Sequence, residues 1–331
     1  MCMHRLEEQH REENVAMRDV YCKTLMQIAE KNPAVVSVDA DVMHSLGTLE
    51  FHKTYPERAI NCGIQEANAV GVCAGLSVTG FIPFFHTFSV FATRRVYDQV
   101  FLSCAYSGAN VKIIGGDAGV TTAVNGGTHM PFEDMGIMRN IPGMTVIEPS
   151  DSVMLRSIVP QMADNYGNHY LRMCRRNMVK IYQDGSCFEI GKAAVLKEGA
   201  DVTIIAVGIM VYEALKASEV LENQNITARV VDMFTIKPVD EACILESAKR
   251  TGAIVTAENH SIFNGLGSAV SEVLSERCPV PMERVGVRDE FGEVGDQEYL
   301  MKRYKLTAEE ICRKAMKVIE RKKYGENCCC Q

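Results

Sequence analysis

Glu66 stands in the run Asn61-Cys-Gly-Ile-Gln-Glu-Ala-Asn-Ala-Val, at the head of the apolar positions Ala67, Ala69, Val70, Val72 and Ala74. A carboxylate that leaves water unpaired costs several kcal/mol or keeps its proton instead. Glu66 is therefore a candidate proton holder toward a ligand, set against the plainer role of an acid favoured by a helix dipole. Phe88 and Phe91 fall three apart in His86-Thr-Phe-Ser-Val-Phe-Ala-Thr-Arg, so one helical turn puts both rings on one side. Such a pair either packs in a core or faces a flat heteroaromatic ring. His129 lies in Asn125-Gly-Gly-Thr-His-Met-Pro, a loop whose glycines let backbone approach a ligand. An imidazole there can move protons near neutral pH. Arg18 and Arg175 carry planar forks suited to an oxyanion, and equally to surface salt bridges.

These residues need a scaffold, and the alternation of strand-like and helical runs predicts a parallel α/β architecture. Strands are expected at 35–39, 81–85, 111–116, 144–148 and 170–173, with helices at 17–31, 66–79, 93–107 and 152–164 between them. After the Gln183-Asp-Gly-Ser-Cys turn the rhythm changes. A second, smaller α/β unit follows, with strands at 201–208, 228–233, 253–258 and 282–287 and a helix at 211–223. Thr307-Ala-Glu-Glu has the form of a capping box opening a last helix that carries Ile311, Ala315 and Ile319 on one face. The expected division is 1–186 and 187–331, each a three-layer domain around a parallel sheet. Gly265-Leu-Gly-Ser lacks the full dinucleotide fingerprint, so no cofactor is assigned to the second half.

Composition narrows the class. With 331 residues and 47% apolar content the chain can bury two cores. A net charge of −7 without a basic stripe argues against a nucleic-acid surface. The apolar stretch 67–85 is broken by Asn68, glycines and Pro83, which reads as helix, turn and strand rather than a membrane span. The polar opening argues against a secretory signal, and the cytoplasm is expected. None of the 13 cysteines has Cys-x-x-Cys spacing, and most sit in apolar surroundings as reduced core residues. Cys328, Cys329 and Cys330 end a polar tail, read as an oxidation-prone terminus rather than a metal site.

In order and type, the Gly-x-x-Glu at Gly63–Glu66, the Thr-Phe-x-x-Phe at Thr87–Phe91 and the Gly-x-Thr-His at Gly126–His129 resemble the pyrimidine-binding domain of transketolases. The resemblance covers nearly the whole chain and matches the C-terminal two-thirds of a complete enzyme. It implies thiamine diphosphate with magnesium as cofactor, and transfer of a two-carbon ketol unit from a ketose to an aldose. Glu66 matches the glutamate that donates to N1′ of the aminopyrimidine and favours its imino tautomer, whose nitrogen removes the thiazolium proton. A glutamate that keeps its proton by burial suits that task. Phe88 and Phe91 match the ring-stacking pair, His129 a histidine of the substrate channel, and Ile64 and Asp41 lie at further cofactor positions. Arg18, Ser45 and Arg175 match three of four ligands for a substrate phosphate. The fourth falls at Gly116, the acceptor-reading aspartate is Asn125, and a pocket tyrosine is Arg94; these departures leave the sugar open. The Gly-Asp-Gly motif that holds magnesium and the diphosphate is absent from the sequence. That resembles the C-terminal subunit of a split transketolase, with a diphosphate-binding partner subunit, a self-dimer within an α2β2 assembly, and no metal ligand of its own. A 2-oxo-acid dehydrogenase beta subunit and a deoxyxylulose-phosphate synthase share this domain pair, and a noncatalytic regulatory subunit is a reading of another class. The histidine loop, Arg175 and chain length favour transketolase over the first two, and Glu66 speaks against the third.

Overall fold

The computed structural model describes residues 3–328. Twelve strands form two sheets among these residues: β1 (Val35–Asp39), β2 (Ala59–Asn61), β3 (Ile82–Phe88), β4 (Lys112–Gly116), β5 (Thr145–Ile147), β6 (His169–Met173), β7 (Ala194–Lys197), β8 (Val202–Ala206), β9 (Ala228–Asp232), β10 (Thr235–Lys237), β11 (Ile254–Ser261) and β12 (Met282–Val287). The first sheet runs β10-β5-β6-β4-β3-β1-β2 and the second β12-β11-β8-β9-β7. Both are parallel except at an edge, where β10 lies antiparallel to β5 and β7 antiparallel to β9. Residues of β1, β4, β6, β8 and β9 are buried throughout, as strands covered on both faces must be. The chain is thus α/β, with helices on both faces of each sheet.

Two apolar cores run the length of the molecule. One lies under the helices Met17–Lys31, Ser152–Asp164, Met210–Glu222 and Ala308–Cys328. The other lies under Glu66–Val78, Asp134–Arg139, Glu241–Thr251 and Leu266–Arg277. Strand β10 also ties the halves together, since it follows β9 of the second sheet yet pairs with β5 of the first.

Several elements differ from the sequence reading. The helix expected over 93–107 is instead a turn at Ser89–Ala92, a turn at Tyr97–Gln99 and a π-helix at Val100–Tyr106. Thr93 leaves helical geometry (φ −120°, ψ −86°), and its hydroxyl donates to the Ser89 carbonyl at 2.7 Å, so the first turn closes there. Strands β2, β7 and β10 have three or four residues each, too few to show a period. The capping box forms only by half: Thr307 Oγ1 accepts from Glu310 N at 3.4 Å, while the Glu310 carboxylate turns to Arg313. Cys329 and Cys330 lie outside the described residues, as does the side chain of Cys328. No described helix is long and apolar enough to cross a membrane.

Candidate active site

The site gathers at the carboxyl ends of β1, β3 and β4, where a parallel sheet leaves a crevice. Phe88 ends β3 and starts the turn Ser89–Ala92, which carries Phe91 to the same side. The rings stand edge to face with centroids 6.3 Å apart, and His129 closes the triangle at 5.9 Å from Phe88 and 5.2 Å from Phe91. Glu66 is the first residue of its helix and only 4% exposed. Its Oε1 accepts a hydrogen bond from Arg95 Nη1 at 2.9 Å. The same guanidinium covers the Phe91 ring at 3.9 Å, so Arg95 connects the carboxylate to the aromatic group. Nothing in the sequence singled out Arg95; its partner is 29 positions away.

The His129 loop is held from the second sheet. Asn259, on β11, accepts from Val120 N at 2.9 Å and donates to the Ala118 carbonyl at 2.9 Å. Gly127 packs so closely on Gly292 that an added Cβ would lie 2.1 Å from the Gly292 oxygen. Thr128 Oγ1 meets His129 Nδ1 at 3.0 Å. Asn125 sits exposed on the same loop. Arg94, where a pocket tyrosine was expected, donates to the Thr128 carbonyl and pairs with Glu133.

A second group lies beside Phe88. Arg18 and Arg175 are adjacent through backbone, Arg18 N donating to the Arg175 carbonyl at 3.4 Å, and Arg18 Nη1 reaches the Ser45 carbonyl at 3.3 Å. Arg175 passes over Phe88 at 5.4 Å and its Nε donates to Asp117 Oδ1 at 2.9 Å. Gly116, at the expected fourth anion position, has no side chain to offer. A Cβ at Gly116 would lie 2.9 Å from the end of the Leu46 side chain, and the next residue, Asp117, meets Arg175. Asp41 and Ile64 stand apart at an exposed rim, with Asn61 Oδ1 accepting from Asp41 N and Gly63 N.

Below the aromatic group runs a buried network absent from the sequence reading. Tyr21 OH meets His86 Nε2 at 2.7 Å, and Asp39 accepts from Ser37, Thr48 and His52 at 2.7–2.8 Å. Burial alone would raise the Asp39 carboxyl, but His86, His52 and Thr48 together hold it far below the usual carboxylate range. Among the described residues no three His, Cys, Asp or Glu side chains form a metal-sized group.

The model of the transketolase pyrimidine-binding domain matches residues 13–180, and that of the transketolase C-terminal domain matches 191–311. The chain belongs to the transketolase family. It is 53% identical over 308 residues to the 6-deoxy-6-sulfo-D-fructose transketolase subunit SqwH of Clostridium sp. (strain MSTE9), covering 93% of this chain and 96% of that one. It is 37% identical to a subunit of the apulose-4-phosphate transketolase of Phocaeicola vulgatus, covering 93% of this chain and 98% of that one. A solved structure of a split gene transketolase, described as an inactive beta4 tetramer, superposes with a TM-score of 0.86 at 44% identity, covering 93% of this chain and 99% of that chain. Against the mouse transketolase-like protein 2 the match is 35% identical and spans 90% of this chain but 48% of the relative. The fold and motif order thus correspond to the C-terminal subunit of a split transketolase.

Proposed function

We propose that this chain is the subunit that supplies the pyrimidine side of a thiamine diphosphate site, and that with a separate diphosphate-binding subunit it transfers a two-carbon ketol unit from an anionic ketose to an aldose. The observation that carries the reading is the convergence of Glu66, Phe88, Phe91 and His129 on one crevice. The donor set fits the cofactor: a carboxyl buried at a helix start to meet a ring nitrogen, and two rings to pack on a flat heterocycle. When bound, thiamine diphosphate supplies the nucleophilic carbon that carries the ketol unit. The chain's own tasks are then distinct. Glu66 holds a proton at its carboxyl toward the ring nitrogen, which requires Arg95, half-exposed, to give up the Oε1 it occupies here. His129 moves a proton at the substrate's oxygen, and the phenylalanines exclude water. Arg18, Ser45 and Arg175 orient the anionic end of the sugar. Ile64 and Asp41 border the cofactor, and Asn125 borders the acceptor.

The partner subunit holds the diphosphate and magnesium. Self-association follows the helix Glu66–Val78, where Ala67, Gly71, Gly75 and Val78 form an exposed line and nothing approaches a Cβ placed at either glycine. Two copies facing each other there, each with a partner, make an α2β2 assembly. The chain divides into a domain of residues 1–186 and one of 187–331, and works in the cytoplasm. Calorimetry with magnesium and thiamine diphosphate tests the reading: the chain alone gives no micromolar binding and no transfer, and both appear on adding the partner. In that complex Glu66→Gln lowers kcat by orders of magnitude with the fold intact. Tight binding and transfer by the chain alone, or parental turnover in the variant, refutes it.

A further inference from the structure

At the tip of β4 a carboxylate stands inside a group of arginines. Asp117 is fully buried and held at φ 61°. Arg175 Nε lies 2.9 Å from Oδ1 and 2.7 Å from Oδ2, yet Oδ2 has no hydrogen-bond partner of acceptable geometry among the described residues. The terminal nitrogens of Arg175 have no hydrogen-bond partner there either, and the side chain is 17% exposed. Pinned by its Nε, the guanidinium offers its outer edge as a rigid fork. Burial pushes the Asp117 carboxyl up, while Arg175, then Arg176 and Arg18, pull it back. Arg18 carries Asp19 beside it at 3.7 Å. Three cations, Arg175, Arg176 and Arg18, act on Asp117, and with Asp19 the group holds two carboxylates, an excess of one positive charge.

Resting on the ketol-transfer reading above, we propose that Asp117 is a charge filter that makes this anion subsite select a ketose ending in a singly charged oxyanion, a sulfonate, over one ending in a phosphate. A sulfonate is a monoanion at every working pH and balances the excess. A phosphate monoester near pH 7.5 carries a charge of about −1.5 to −2. Its second charge meets a buried carboxylate that water cannot screen. Only the singly protonated ester matches the single charge of the sulfonate. With a second pKa of about 6, that form gains roughly twentyfold between pH 7.5 and 5.5.

The test uses the complex with the diphosphate-binding subunit. Matched donors are 6-deoxy-6-sulfofructose and fructose 6-phosphate, each kcat/KM taken relative to uncharged erythrulose at the same pH. The expected result is at least a tenfold preference for the sulfonate at pH 7.5, lying in KM. The phosphate should gain about tenfold or more on going to pH 5.5 while the sulfonate stays level. Asp117→Asn and Asp117→Ser should each bring the two donors within about threefold of one another by lowering KM for the phosphate. Equal use of the two donors, identical pH dependence, or an unchanged ratio in a folded variant overturns the proposal. If neither variant folds, the parental pH dependence decides alone. A complex that transfers from no donor, erythrulose included, refutes the proposed function instead; calorimetry of the two ketoses on the chain then decides, and tighter binding of the phosphate overturns the filter.

Discussion

Glu258, within β11, turns a single buried proton into a measurable pH dependence. Its carboxylate accepts from Leu266 N at 2.7 Å and Gly267 N at 2.8 Å, at the start of the helix Leu266–Arg277. Burial nonetheless dominates and pushes the carboxyl from its ordinary 4.5 up to about 7; the two backbone donors and Arg172 offset this only in part. The folded state therefore binds this proton more tightly than the unfolded chain. The associated stability is fully present below about pH 4.5 and is lost as pH rises to about 7. Between pH 5.5 and 7.5 the loss amounts to about 2 kcal/mol, from 1.36 kcal/mol per tenfold change in proton affinity. His260 and His169, each lowered to about 4 by burial, act in the opposite direction, losing stability as pH falls below 6.5. Glu148 and Asp232, also pushed up to about 7 by burial, act in the same direction as Glu258, so a comparison with Glu258→Gln isolates this one proton, because the amide does not titrate. Urea unfolding of both proteins at pH 5.5 and 7.5 should show the variant gaining about 2 kcal/mol on the parent between the two values. The amide can satisfy only one of the two N–H groups with its single oxygen, which offsets both measurements equally. A difference that stays constant with pH would refute the buried, protonated Glu258.

Asn259→Ala removes both contacts that hold the start of the His129 loop, leaving Val120 N and the Ala118 carbonyl buried and unpaired, at a cost of about 2–4 kcal/mol. Transfer in the reconstituted complex should fall at least tenfold, and equal activity at full folding would show that the loop needs no such anchor. Gly71→Leu places a side chain where nothing in this chain approaches within 4 Å and replaces a poor helix former, so the monomer should keep or gain stability, by about 0.5–1 kcal/mol. Sedimentation should show self-association weakened at least tenfold; an unchanged oligomer places the contact elsewhere.

The central strands were readable because each is an apolar run too long to be a turn, and the helices at 17–31 and 152–164 appear with the expected bounds. Glu66 was conspicuous for the reverse reason, an acid where apolar residues dominate. What escaped detection has a common cause in distance along the chain. Arg95 reaches Glu66 across 29 positions and Asn259 reaches Val120 across 139, and neither pair has a local signature. Arg172 looks in the sequence like one polar residue in a strand, yet it is fully buried, with Asp134 and Glu148 each at 2.7 Å. Motif spacing falls on Gly116 and gives no sign that the next residue, Asp117, meets Arg175.

Arg172 and Asn259 also explain why a second domain without assigned cofactor residues shapes the site. Arg172 Nη2 donates to the Asn259 carbonyl at 2.7 Å, while its Nε and Nη1 take Asp134 and Glu148. One cation thus holds β6 of the first sheet against β11 of the second, and the side chain of Asn259 passes that register on to residues 118–120. At the other end of the loop Gly127 rests on Gly292. Removing a single partner from such a buried ionic group is costly, about 3–5 kcal/mol, because the remaining charges stay unpaired. Both anchors lie within this one chain. On the function proposed above, Arg95 has to leave Glu66 Oε1 for the carboxyl to meet the ring nitrogen, and its half-exposed side chain is free of such buried anchoring.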